Sequence, residues 1–177
     1  MIALARHGET PFNAEGRFQG HLPVPLSERG REQARELAAV AAEREWAALW
    51  CSPLARARET ADVVAAAIGL EPREDGRLVE TDTGDWTGRS FAEVRAEDPE
   101  GFERWHGGDP SWRFPGGESF AEHEERVAAA LAEVRRGPLP ALVVCHRHVI
   151  RAALVVTTGD EAARHAPVDN GTLVELP

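Results

Sequence analysis

Apolar and polar positions fall into blocks whose lengths separate strands from helices. Ile2, Ala3, Leu4 and Ala5 form a run too short for a helix and long enough for a buried strand, and it stops at Arg6, His7 and Gly8. A polar, glycine-bearing stretch over 8–25 reads as a loop, and a loop of that length is usually functional. Ser27 is placed to cap a helix reaching about Arg44, with Ala34, Leu37, Ala38 and Ala41 spaced for one apolar face. A second short run over 47–51 ends at Cys51 and Ser52, and a helix follows over about 55–68. An extended piece over 72–80 carries Leu78 and Val79. Later, a long helix over about 119–136 sets Phe120, Val127, Ala130, Leu131 and Val134 on one stripe. The run Ala141-Leu142-Val143-Val144-Cys145 is the clearest buried strand, and it too stops at a histidine, His146. A helix over about 149–158 and a last strand over 172–176 complete the chain. Alternating strands and helices imply parallel pairing through right-handed crossovers. The expected fold is α/β, a three-layer sandwich with a mostly parallel central sheet flanked by helices.

Residues 81–117 break this rhythm with glycines and prolines at 84, 88, 107, 108, 110, 115, 116 and 117. Trp86, Phe91, Phe102, Trp105, Trp112, Phe114 and Phe120, seven of the eleven aromatics, sit within or just after this stretch. It is expected to be a small inserted cap over the strand ends within one domain spanning 1–177; the aromatics either face that opening or simply pack the segment onto the core.

Composition narrows the function. A net charge of −10 argues against nucleic acid or an anionic membrane as partner, although a local cationic pocket can still take a small anion. All 20 basic residues are arginine, so a single arginine carries little information. No apolar run approaches the roughly 20 residues that span a bilayer, and no signal-peptide layout opens the chain, so a cytoplasmic location is expected. Cys51 and Cys145 lack metal-ligand spacing, and no metal is assigned.

Three strands end in reactive or cationic groups: Arg6-His7, then Cys51-Ser52 with Arg56 one turn on, then His146-Arg147-His148. In open α/β sheets, ligands collect beyond the carboxyl ends of the strands. Arginine grips phosphate through a planar fork of donors, and histidine can accept a phosphoryl group or hydrogen-bond to it.

These residues resemble the histidine phosphatase superfamily, which includes the cofactor-dependent phosphoglycerate mutases. Arg6-His7-Gly8-Glu9-Thr10 matches its opening signature, and Asn13 with Gly16-Arg17-Phe18-Gln19-Gly20 the loop after it. The block from Ser52 to Ala61, the stretch from Leu78-Val79-Glu80 to Gly88, and Pro115-Gly116-Gly117-Glu118-Ser119 are similar to its later blocks. The resemblance implies that His7 is the nucleophile, forming a phosphohistidine while its other nitrogen is held by a backbone acceptor. It implies that Arg6, Arg56 and His146 surround the phosphoryl oxygens, with Asn13, Gln19 and Gly20 completing the cradle. Glu80 would be the proton donor and later the base, on a pKa raised by burial and phosphate. No cofactor is implied, since the arginines supply the positive charge. His21, His106, His123 and His165 are read as surface or cap residues, and His148 is left open.

Arg147 departs from the pattern, because glycine commonly follows the second histidine. It is read as a substrate-binding residue pointing inward, the alternative being an outward pairing with an acidic residue. The implied activity is metal-independent hydrolysis of a small phosphomonoester. Mutase-type transfer and a degenerate phosphate-binding module are the alternatives, and an end at Pro177, directly after the last strand, favours hydrolysis. The chain could work alone or as a homodimer. The family topology also sets the strands ending at Cys51 and Cys145 side by side, so an oxidative link between the thiols is weighed against two inert buried ones.

Overall fold

A computed structural model describes residues 1–177. Its sheet has five strands, β1 (Ile2–Arg6), β2 (Ala48–Cys51), β3 (Pro72–Glu74), β4 (Ala141–Cys145) and β5 (Leu173–Glu175), in the order β3-β2-β4-β1-β5. All neighbours are parallel except β5, which runs antiparallel to β1. Helices α2 (Glu28–Ala41) and α3 (Ala55–Ile68) cover one face; α6 (Phe120–Arg136) and α7 (Arg147–Thr158) cover the other. The expected mostly parallel α/β sandwich is therefore the observed one.

The period of two along each strand sorts the core into two layers. Ala3, Ala5, Leu49, Cys51, Leu142 and Val144 pack under α2 and α3. Ile2, Leu4, Val143 and Cys145 pack under α6 and α7. This alternation overturns the thiol link. Cys51 pairs in register with Val144 and not with Cys145, so the two sulfurs leave opposite faces of the sheet. Burial also raises both thiols, Cys51 to about 12, which suppresses the reactive thiolate. Diamide treatment is expected to leave activity and free-thiol count unchanged; a lost pair of thiols in the folded monomer would contradict this register.

Two stretches are more regular than their composition suggests. The expected loop over 8–25 contains a short helix, α1 (Pro11–Glu15), built on a reciprocal cap in which Thr10 and Asn13 each accept from the other's backbone. Gly16, at φ +64°, ends it. Within 81–117, α4 (Phe91–Glu97) and α5 (Pro99–His106) start at Ser90 and Asp98, whose side chains bond the first-turn amides. Their aromatics join Phe18 and Phe120 in a cluster of their own, apart from the sheet core. The α2 helix stops at Ala41, short of Arg44. No helix is long and apolar enough to cross a membrane.

Candidate active site

Register puts the two histidines together. Arg6 lies opposite Cys145 on the paired strands β1 and β4, so the next residues, His7 and His146, leave the sheet side by side with ring centroids 5.1 Å apart. Ser52, one step past β2, meets His146 through Oγ at 2.8 Å from Nε2. The chain can turn after His7 only because Gly8 lacks a side chain: a Cβ there would come 2.2 Å from the carbonyl oxygen of Gly30 on α2. The Gly8 amide donates to Thr60 Oγ1 at 3.1 Å, which ties this turn to the helix that carries Arg56.

His7 is almost fully buried, and its Nδ1 sits 2.6 Å from the Gly8 carbonyl. A carbonyl only accepts, so Nδ1 carries the proton and Nε2 keeps its lone pair. Burial, then the charges of Arg56 and Arg6, push the ring well below the usual histidine range and keep it neutral. His146 is held neutral by burial and Arg56 in the same way, and its Nδ1 has no protein partner.

Arg6 donates to the Val168 carbonyl at 2.8 Å, and Arg56 donates to the carbonyls of Gly20 and Leu22 at 2.9 and 3.1 Å. Neither meets a carboxylate, and the Nε of each is buried without a partner. Burial, with the neighbouring Arg147, pushes Arg6 down to about 9, and burial pushes Arg56 down to about 10. Guanidiniums stay charged at neutral pH, so two desolvated positive charges border the cleft.

Gln19 and Gly20 line the same cleft, and the Gln19 side chain accepts from Thr10 Oγ1 at 2.8 Å. Gly20, at φ +48°, has no room for a side chain, since a Cβ would lie 2.7 Å from Thr83 Oγ1. Asn13 also lines the cleft, with its Oδ1 engaged by the Thr10 amide and by Asn170 Nδ2. The amino end of α7 opens here too, adding its partial positive charge.

Glu80 faces this wall from the segment after β3, three-quarters or more buried, with Oε1 accepting from the Thr81 amide at 3.0 Å. Its Oε2 lies 3.5 Å from both Nδ1 and the backbone nitrogen of His148, long contacts that place the open histidine in the site. Burial works to raise the carboxyl, but the neighbouring His148 outweighs it and holds Glu80 low. This differs from the raised value expected for a proton donor. A phosphoryl group seated among Arg6, His7 and Arg56 pushes in the opposite direction, because like charge disfavours ionisation.

Arg126 on α6 fixes the backbone that carries Glu80. Its guanidinium donates to the carbonyls of Arg77, Val79 and Glu80 at 2.8, 2.7 and 3.0 Å, and to both oxygens of Glu118 at 2.6 and 2.9 Å. His123, read from sequence as a surface or cap residue, is instead buried against this pair, with Nδ1 2.8 Å from Arg126. Its place on the inward stripe of α6 was visible in the helical spacing. His21 is exposed, and its ring bonds the Glu80 carbonyl at 2.8 Å. Arg126, Ser52, Thr60 and Asn170 were missed as site residues.

Arg147, the first residue of α7, takes the inward direction and lines the cleft beside Arg6, His7 and Glu80. All nine residues singled out from the sequence thus border one cleft or, for His146, stand directly behind it against His7.

A mostly parallel sheet that delivers paired imidazoles and guanidiniums to one cleft defines an α/β protein built to receive an anion. The pattern of the histidine phosphatase superfamily (branch 1) matches residues 2–177. Phosphoserine phosphatase 1 of Hydrogenobacter thermophilus is 38% identical over 149 residues, covering 84% of this chain and 71% of that protein. A probable phosphoglycerate mutase of Salmonella choleraesuis is 37% identical over 162 residues, covering 89% and 74%. The solved structure of mycobacterial glucosyl-3-phosphoglycerate phosphatase, in complex with VO3, superposes with a TM-score of 0.90 at 31% identity, covering 97% of this chain and 88% of that one. The chain belongs to the histidine phosphatase superfamily and is a phosphoric monoester hydrolase.

Proposed function

We propose that this hydrolase releases phosphate from a small phosphorylated metabolite in the cytoplasm, through a phosphohistidine on His7 and without a metal ion. The observation that carries the reading is the His7 ring itself: neutral, locked by the Gly8 carbonyl at 2.6 Å, and backed by two guanidiniums that form no ion pair with a carboxylate.

In the first step Nε2 attacks phosphorus and the bond to the alcohol oxygen breaks, with Glu80 giving that oxygen its proton. In the second, water attacks phosphorus as Glu80 takes a proton back, the phosphorus–nitrogen bond breaks, and inorganic phosphate leaves. Arg6, Arg56 and His146, with the amides of Gln19 and Gly20 and the Asn13 side chain, hold the equatorial oxygens as charge spreads over them. The relatives named as phosphatases of phosphoserine and of glucosyl-3-phosphoglycerate support a small-metabolite substrate.

The relative named as a probable mutase keeps phosphoryl transfer as the second reading. A panel of phosphomonoesters with EDTA present distinguishes them. Hydrolysis predicts one inorganic phosphate per ester consumed, at a rate the chelator leaves unchanged. Phosphate appearing mainly on a second phosphoglycerate would favour the mutase, and tight binding without turnover would favour a module that only holds its ligand.

A further inference from the structure

Beside the His7 cleft lies a larger cavity of about 280 Å³, and the two share Trp105, Arg147 and His148. One wall of it is α7, where Arg147 and Arg151, four residues apart, rise from the same face. Arg147 Nε is buried with no partner, and Arg151 spends only its Nε, on the Ala166 carbonyl at 3.0 Å. The single carboxylate on the wall, Glu124, is already held by Arg164 at 2.7 to 3.0 Å. His123 also borders the cavity, and because its Nδ1 faces an Arg126 donor, the proton sits on Nε2, which has no protein acceptor.

The pairing of arginines over the whole molecule gives this arrangement its meaning. Thirteen of the 20 form ion pairs with a carboxylate. Of the others, Arg35, Arg73 and Arg135 are exposed. The remaining four, Arg6, Arg56, Arg147 and Arg151, are buried or half-buried, and all border these two joined cavities. With 30 acidic residues in the chain, partners are plentiful. Glu80 is the one carboxylate that borders the cleft with them, and desolvated charge left uncompensated costs stability, so a site that sets four such cations against one carboxylate is completed by an anion from outside. Arg6 and Arg56 account for one phosphoryl group; Arg147 and Arg151 extend the cationic wall into a space that phosphate in the first cleft does not fill.

We infer that the larger cavity seats the leaving alcohol of the substrate, and that Arg147 and Arg151 bind a carboxylate borne by that alcohol. The inference rests on the hydrolase reading above and narrows it to phosphoesters of hydroxy acids. Two guanidiniums one helical turn apart match a carboxylate through charge-assisted, forked bonds.

The test is calorimetric titration of the His7→Ala chain with a matched pair of ligands, 3-phosphoglycerate and glycerol 3-phosphate, which differ by a carboxylate in place of a hydroxymethyl group. The carboxylate ligand is expected to bind roughly a hundredfold more tightly, and Arg151→Gln or Arg147→Gln, added singly, each to cut that ratio by about tenfold. The Arg147 side chain makes no hydrogen bond or ion pair within the protein, so its replacement serves if Arg151→Gln disturbs folding. A ratio near one, or a ratio that neither substitution lowers, overturns the inference. Binding is read without turnover, so a wild-type chain that hydrolyses no phosphoester would sink the hydrolase reading separately, and intact hydrolysis with no carboxylate preference would sink only this one.

Discussion

His7→Ala is expected to abolish phosphoester turnover while the chain stays folded, with a loss on the order of 10⁴-fold or more, the scale seen when a covalent nucleophile is deleted. No neighbour can take over. His146 stands 5.1 Å away, but its Nε2 is engaged with Ser52 and its ring has no backbone carbonyl fixing the tautomer. Wild-type enzyme mixed with a labelled phosphoester and quenched in alkali should carry label that acid then releases, as a phosphoramidate does, and the variant should carry none. Undiminished turnover in His7→Ala, with unchanged circular dichroism, would end the covalent mechanism. The same residue is expected to set the acid side of the pH profile. Its folded pKa is depressed by burial and by Arg56 and Arg6, so the free base persists as pH falls through the ordinary histidine range. The acid limb of kcat/KM assigned to His7 should therefore lie below pH ~6.5.

Glu80→Gln is expected to slow alkyl phosphoesters by ~10²–10⁴-fold, the usual worth of a general acid, and p-nitrophenyl phosphate far less. An alkoxide leaves poorly without a proton, whereas nitrophenolate needs almost none. Glutamine keeps the shape and the amide contact to Thr81 but cannot donate a proton in the same step. It also removes the carboxylate charge that the neighbouring His148 favours. Equal losses on the two kinds of ester would take Glu80 out of the proton-transfer role and leave it as an electrostatic element of the wall.

The sheet and the strand-end chemistry were legible because both depend on short-range patterns. Four- and five-residue apolar runs stopping at His7, Cys51 and His146 state where strands end, and in a parallel sheet the ends share an edge. What sequence could not supply was register. A slip of one residue separates a pair of facing thiols from the observed case, in which Cys51 and Cys145 occupy opposite layers. The α1, α4 and α5 helices were hidden for a different reason. They are short, they bury little of the sheet core, and they depend on single caps at Thr10, Ser90 and Asp98 instead of a long apolar stripe. Arg126 was invisible as a site residue because the three carbonyls it holds in place lie some 46 to 49 positions away, and no local pattern encodes such a contact. The low-lying Glu80 was missed likewise, since its neighbour His148 lies 68 positions away and meets it only in space.

The Arg126–Glu118 pair bears on how this scaffold can be re-engineered. Glu118 directly follows the aromatic-rich segment over 81–117, yet through Arg126 it braces the backbone that presents Glu80, and it also accepts from the Asp82 amide at 3.2 Å. That segment is thus not a detachable cassette. A chimera that imports another relative's segment over 81–117 must carry a carboxylate to position 118, or Glu80, the proposed proton donor, loses its mooring.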